Sequence, residues 1–539
     1  MLRPIVRSSA LALLCLLGLL LLPMRAAAQV GGYKIEPSYI LSVPPAEVRT
    51  TPNFEPSTLS TRFPDLPVEV PFRPTINAQE YARLKAAADR QLPLPTGMWP
   101  SLYGPPIPDV DFDGLNQSES GNLIPPDTHG AIGKEQFIEV VNSRLAVFDR
   151  TGNRLKDVSL ATFFRYTART LFDPRVVYDR THDRWVVTAA AFPESSTVQF
   201  HFIGVSTTGD ATGDFFVYPI NVAFIPDDLW DYPQLGMDKD ALIITANIFH
   251  RGVFFRWADM LAVPKDNLYN GLGFSVPVFQ GLDGSLNPPI VLDDNPKTFL
   301  INNMPGTAFV GLYVLENSGD PDNVTLFVLS PVEVGLYSIP PSARQPETGI
   351  RIDTVDTRFV NASIQNGGSL FNVHTIGVEG LPKPRWYEID ISTSEGMVVQ
   401  SGIFFGTVTS DDWNASIALN DDNDVFVTWS SSASPNGEEP GYFPQIRASG
   451  RLSTDPPGVI EPGSVIFQSP TFSTHFRWGD YSAITIDPLN PQCAFGVNEK
   501  VNSSSQWGSH LFGICFPSNR LAALARALHQ WLDDLIAEQ

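Results

Sequence analysis

DTHGAIGKEQFIEVVN (127–142), DPRVVYDRTHDRWVVTAA (173–190), DYPQLGMDKDALIITAN (231–247) and NPPIVLDDNPKTFLINN (287–303) are four versions of one phrase. VNASIQNGGSLFNVHT (360–375), WNASIALNDDNDVFVTWS (413–430) and DYSAITIDPLNPQCAFGVN (480–498) bring the copies to seven. Each has a polar or aromatic start, an alternating strand, a turn residue and a second strand. The turn residues are Gly133, Asp179, Asp238, Asp293, Asn366, Asn420 and Asp487. Their spacing averages roughly 59 residues, at or a little above the size of propeller repeats. Asp and Asn suit such turns because their side chains accept hydrogen bonds from nearby backbone and tolerate left-handed dihedrals.

Each pair leaves room for two more strands, as in SRLAVFD (143–149) and VQFHFIGVS (198–206). The pattern predicts an all-β fold, a seven-bladed β-propeller of four-stranded blades over 108–517. The last repeat holds three good strands of its own, so Val110–Leu115 (VDFDGL) is expected to supply its fourth and close the ring. Closure removes sheet edges that would otherwise pair with other chains. Residues 29–107 read as a Pro-rich extended arm with a helix near 77–91, started by Asn77 with Glu80 three residues on. Residues 518–539 read as an amphipathic helix with Leu521, Leu524, Leu528, Leu532 and Leu535 on one face.

Residues 1–28 have the form of an export signal. Arg3 and Arg7 precede the apolar run Ala10–Leu22, and Ala26-Ala27-Ala28 offers a cleavage site. That run is too short for a stable membrane span, and a secreted product beginning at Gln29 is expected. The formal net charge is −22. Losing Arg3, Arg7 and Arg25 with the signal makes the product more acidic still. With no cluster of Lys and Arg, nucleic acid is excluded as a partner. Cys493 and Cys515 remain after processing, in neighbouring strands of the last repeat. An oxidising compartment would permit a disulfide between them.

Residues leading each first strand should converge on one funnel at the propeller axis. Three chemistries fit. Glycoside cleavage needs a carboxylic acid and a carboxylate, for which Asp127, Asp173 and Asp412 are the candidates. Trp413, Trp478 and Tyr481 could stack on sugars, with His129 beside them, and Arg175, Arg358 and Arg477 could grip a substrate carboxylate. The S-x-D-x-G-x-T-W boxes of sialidases are absent. A metal is the second option, Ca²⁺ if oxygen ligands dominate, though no ligand spacing is diagnostic. The third is no chemistry: Asp-Tyr recurs at 231–232 and 480–481, as expected of residues that lock sheet to sheet. No G-x-S-x-G, H-E-x-x-H or phosphate-loop motif is present.

FDGL, IPPDTHGAIGKEQFIEVVN, FDPRVVYDRTHDRWVV and DYPQLGMDKDALIITAN, over 112 to about 250, resemble a group of uncharacterised secreted bacterial proteins. Those proteins share a Pro-Pro-Asp-Thr-x-Gly-x-x-Gly start and an Asp-Pro-x-Val-x-Tyr-Asp block. The resemblance implies export, a bacterial source and the propeller, and supplies no catalytic residue. The expected function is recognition or scaffolding, binding a glycan or surface protein through the funnel. The alternative is a carbohydrate-active hydrolase using paired Asp carboxylates.

Overall fold

A computed structural model describes residues 33–54, 68–93, 105–393, 395–435 and 440–517. The signal segment and the C-terminal helix expected from sequence lie outside these residues. The protein is all-β, and the helices among the described residues are Ala78–Ala88, Leu160–Phe164 and Lys265–Leu268. None of them is long and apolar enough to cross a membrane.

The first repeat folds as an antiparallel sheet of His129–Ile132, Gln136–Val141, Arg144–Asp149 and Arg154–Ser159, in chain order. The second (Leu171–Asp179 to Phe215–Asn221), third (Asp228–Met237 to Phe274–Leu282) and sixth (Asp411–Leu419 to Ser464–Gln468) do the same. The fifth runs from Ser363–Asn366 to Met397–Ile403. Leading strands are buried on both sides, so they read as continuous runs; all of Asp228–Met237 is buried.

The fourth repeat departs from the expected pattern. Its leading strand, Pro289–Val291, pairs in parallel with the leading strands of the third and fifth repeats, merging them into one sheet. Only Asn287 bridges to the repeat's own second strand, at Ile301. Pro288 and Pro289 have no amide hydrogen, so this segment cannot build a regular antiparallel ladder.

The turn residues act as expected and also do more. Asp179 accepts from the amides of Thr181 and His182, Asp238 from Asp240 and Ala241, Asn420 from Asp422 and Asp424, and Asp487 from Leu489. Each also reaches the following sheet. Asp179 accepts from Lys265 (2.7 Å), Asp238 from Thr298 (2.6 Å) and Asp293 from the Gly367 amide (2.8 Å). Asn366 donates to Asn423 (2.8 Å) and Asn420 to the Pro491 carbonyl (3.0 Å). Asp487 of the seventh repeat accepts from Arg150 of the first. The first repeat uses Gln136 instead, donating to Asp210 of the second at 2.8 Å.

Adjacent sheets share apolar cores, and one of these joins Phe137, Val141 and Phe148 of the first repeat to Ala483, Phe495 and Val497 of the seventh. Ile107–Asn116 supplies the seventh sheet's fourth strand, pairing with Gln506–Cys515 in a register that includes Leu511↔Phe112 and His510↔Asp113. Cys493 and Cys515 lie opposite each other in that sheet and form a disulfide, with Cα atoms 4.0 Å apart.

The arm is a belt. Tyr33–Ile35 adds to the fourth sheet, Tyr39–Val43 to the third and Glu47–Arg49 to the second. Asn53 then accepts from the Asp157 amide of the first sheet at 2.6 Å. Walking backwards over four outer edges, the arm covers unpaired strand backbone. The helix Ala78–Ala88 follows, with Asn77 Oδ1 capping the amides of Gln79 and Glu80. Glu80 pairs with Arg83 instead of completing a capping box.

Candidate functional site

Several leading strands begin with the same backbone device. Asp127, Asp173, Tyr232 and Asn414 have positive φ values of 51°, 49°, 56° and 53°. Strand register slips at this point in the second, third and sixth repeats. A left-handed bulge bends the strand and re-aims its side chains, at a cost of order 1–3 kcal/mol for most residues. Recurrence in several sheets marks it as part of the architecture.

The device gathers acids. Asp127 Oδ1 accepts the Asp480 amide at 2.7 Å, joining the first repeat to the seventh. Its Oδ2 accepts from Asn142 Nδ2 at 2.6 Å. Asn142 Oδ1 in turn accepts the Asp173 amide, and Asp173 Oδ2 accepts the Tyr232 amide at 3.1 Å. Asp480 accepts from Arg477 (2.8 Å), Glu499 from the Gly479 amide (2.6 Å), and Asp231 from Arg73 of the arm (3.2 Å).

These acids cannot all be charged. Two like charges about 4 Å apart repel by ~4 kcal/mol at an effective dielectric of 20, and burial adds to that. Burial, then the charges of Asp127, Asp231 and Asp480, pushes the Asp173 carboxyl well above the usual carboxylate range. Burial raises the Asp127 carboxyl as well, against the pull of Arg477 and of the Asp480 amide and Asn142. Burial likewise raises Asp480 to about 7 against the pull of Arg477, and drives Glu499 well upward.

The arginines are also held. Arg175 donates to the carbonyls of Pro233 and Val360 and to Asn361 Oδ1, and its guanidinium lies 3.4 Å from the Tyr481 ring centroid. Arg358 forms a two-pronged pair with Asp356 (both 2.9 Å), and Arg477 reaches Asp353 at 3.3 Å. The arm closes over both. Arg477 Nε donates to the Val70 carbonyl (3.2 Å) and Arg358 Nη2 to the Arg73 carbonyl (3.0 Å). The Phe72 ring between those carbonyls lies 4.5 Å from Arg358 and 5.7 Å from Arg477. Behind it, Tyr81 packs on Phe72 (5.3 Å), and Lys85 donates to Thr354 and the Val355 carbonyl at 2.8 Å.

The sequence candidates therefore divide. Asp127, Asp173, Arg175 and Tyr481 meet in the network just described. Arg358 and Arg477 stand where the arm lies on it. His129 is beside it: its Nδ1 accepts the Val176 amide at 3.3 Å, and burial, then Arg175, pushes its pKa well down. Asp412 has a separate set of partners. It is wholly buried and accepts from Lys383 (2.9 Å), Ser410 (2.6 Å), the Gly406 amide and Trp429. Trp413 and Trp478 are each 1% exposed and pack edge to face at 5.6 Å, so neither offers a free face to a sugar. Tyr481 is fully buried, with Arg175 on its ring. Among the described residues no group of three or more His, Cys, Asp or Glu side chains could hold a metal ion. Asp320 accepts from the Asp322 amide and Asn323 Nδ2 within its own turn.

Sequence reasoning missed Phe72, Arg73, Asp353, Asp356 and Glu499. The Pro-Phe-Arg-Pro run at 71–74, an aromatic and a cation between two prolines in a polar arm, was the available signal.

No family model matches the chain, and no curated protein matches it. Among solved structures, a protein of unknown function from Dyadobacter fermentans is similar at 11% identity, TM-score 0.34, covering 64% of this chain and 94% of that one. An exo-β-1,3-galactanase from Phanerochaete chrysosporium is similar at 11% identity, TM-score 0.30, with 74% and 96% covered. A Trypanosoma rangeli sialidase in complex with sialic acid is similar at 11% identity, TM-score 0.35, with 73% and 60% covered. At these scores the likenesses carry no argument about activity.

Proposed function

We propose that this is an exported seven-bladed β-propeller that works by recognition at its axial mouth and not by hydrolysis. The blade count rests on the seven sequence copies, on the bonds to the next sheet from six of the seven turn residues and from Gln136 in the first repeat, and on the core joining the seventh repeat to the first. The basic start and cleavage site of 1–28, the disulfide and the resemblance over 112–250 favour export from a bacterial cell.

One observation carries the functional reading: every candidate carboxylate already holds a backbone amide or a cation of its own chain. Asp127 holds the Asp480 amide, Asp173 the Tyr232 amide, Asp412 Lys383, Asp231 Arg73 and Asp480 Arg477. A glycosidase needs two carboxyl groups facing substrate, about 5–9.5 Å apart. A network spent on its own backbone rigidifies a scaffold, leaving the mouth to bind a surface protein or glycan. A glycan array beside a broad polysaccharide digest, with wild type and Asp127→Ala, tests this. Recognition predicts no product from either protein. Product from wild type that Asp127→Ala abolishes would restore the hydrolase.

A further inference from the structure

Residues 70–73 sit in the mouth as a ligand would. Their main chain presents two carbonyls, Val70 and Arg73, to two buried guanidinium groups, Arg477 and Arg358. The aromatic ring between the carbonyls lies against both guanidiniums. The next side chain, Arg73, places its own cation on Asp231. Nearby, Val68–Glu69 pairs in parallel with Leu123–Ile124, and the Val70 amide donates to the Ile124 carbonyl at 2.6 Å. Strand addition, aromatic stacking and paired carbonyl contacts together are a mode of peptide recognition.

The receptor side is prepared independently of the arm. Asp356 holds Arg358 with two hydrogen bonds, and Asp353 and Asp480 hold Arg477. Tyr232 lies 4.4 Å from the Arg358 guanidinium. Arg358 and Arg477 are 2% and 4% exposed with the arm in place. Both guanidiniums would therefore stay in place when the arm leaves.

We propose that the mouth is a binding site for an extended peptide carrying an aromatic residue followed by a cationic one, and that residues 68–74 occupy it in cis as a tethered competitor. This rests on the recognition reading and narrows it to a protein ligand. An external segment must displace the arm, so affinity is reduced by the fraction of molecules whose mouth is closed.

The test uses the full chain and a fluorescent peptide of sequence VEVPFRPTI, residues 68–76, read by anisotropy. The Phe72→Ala protein should bind it at least about tenfold more tightly than wild type does, because its own competitor is weakened. The same peptide with Ala in place of Phe should bind that protein at least about tenfold more weakly. Equal binding of both peptides, or none by a folded Phe72→Ala protein, overturns the proposal. If Phe72→Ala does not fold, Arg73→Gln, which removes the side-chain bonds of the arm to Asp231 and to the Gly252 carbonyl, is measured in the same way with the same two outcomes. A glycan that binds the opened protein while the peptide does not sinks the peptide site and leaves recognition standing. Cleavage of a glycan sinks recognition itself.

Discussion

The Phe72 ring lies 4.5 Å from the Arg358 guanidinium, and that same group donates to the carbonyl of Arg73, the next residue, at 3.0 Å. One arm residue thus covers a buried cation that is already paired with Asp356. Phe72→Ala should cost about 1–3 kcal/mol of stability, from lost packing and lost cation–π contact in a half-buried setting. Urea denaturation measures it. No change in midpoint would mean that the arm rests on the mouth without holding it.

Asp173→Asn tests the upward shift of the buried Asp173 carboxyl. The folded-state pKa of Asp173 is raised. Above the unfolded value of about 4, the unfolded chain releases this proton while the native protein keeps it, so native stability falls as pH rises toward the folded pKa. Asn keeps the shape and an oxygen for the Tyr232 amide and does not titrate. The stability of Asp173→Asn relative to wild type should therefore increase between pH 5 and pH 8. A difference that stays constant over that interval would show that the Asp173 carboxyl is not raised in the fold.

Asp412 and Lys383 are both wholly buried and pair at 2.9 Å. Removing one partner strands a buried charge, so Asp412→Ala should destabilise by about 3–5 kcal/mol. Replacing both by apolar residues should recover most of that loss. If Asp412→Ala is as stable as wild type by thermal unfolding, the pair is not the structural element described here.

The closing strand gives a fourth expectation. Ile107–Asn116 completes the seventh sheet, and Leu115, fully buried, joins the core shared with the first repeat. A chain lacking everything up to Leu115 leaves that sheet open and exposes its edge. It should be unfolded or aggregated. A monomeric, cooperatively melting truncation would refute the closure.

Much of this architecture is legible in the chain because its signals are local. A turn Asp such as Asp238 caps its own hairpin, and VDFDGL alternates as an edge strand should. What escaped is long-range. Asp412 looked catalytic because its partner lies 29 residues away on another strand. Arg358 read as a grip for a substrate carboxylate because the arm that covers it is 285 residues away, although its partner Asp356 is only two residues before it. The parallel pairing of Pro289–Val291 comes from missing amide hydrogens in a segment that otherwise scans as one more leading strand. The arm's path over four sheet edges leaves no period in its sequence, since each added strand is only three to five residues long.

The central claim is that the axial acids build a mouth for recognition and do not cleave. The most direct measurement is reducing-end release from a broad polysaccharide panel by the Phe72→Ala protein, which lacks the ring against Arg358 and Arg477, beside the Phe72→Ala/Asp127→Ala double variant. The account predicts no product from either. Product from Phe72→Ala that vanishes when Asp127 is also removed would contradict it.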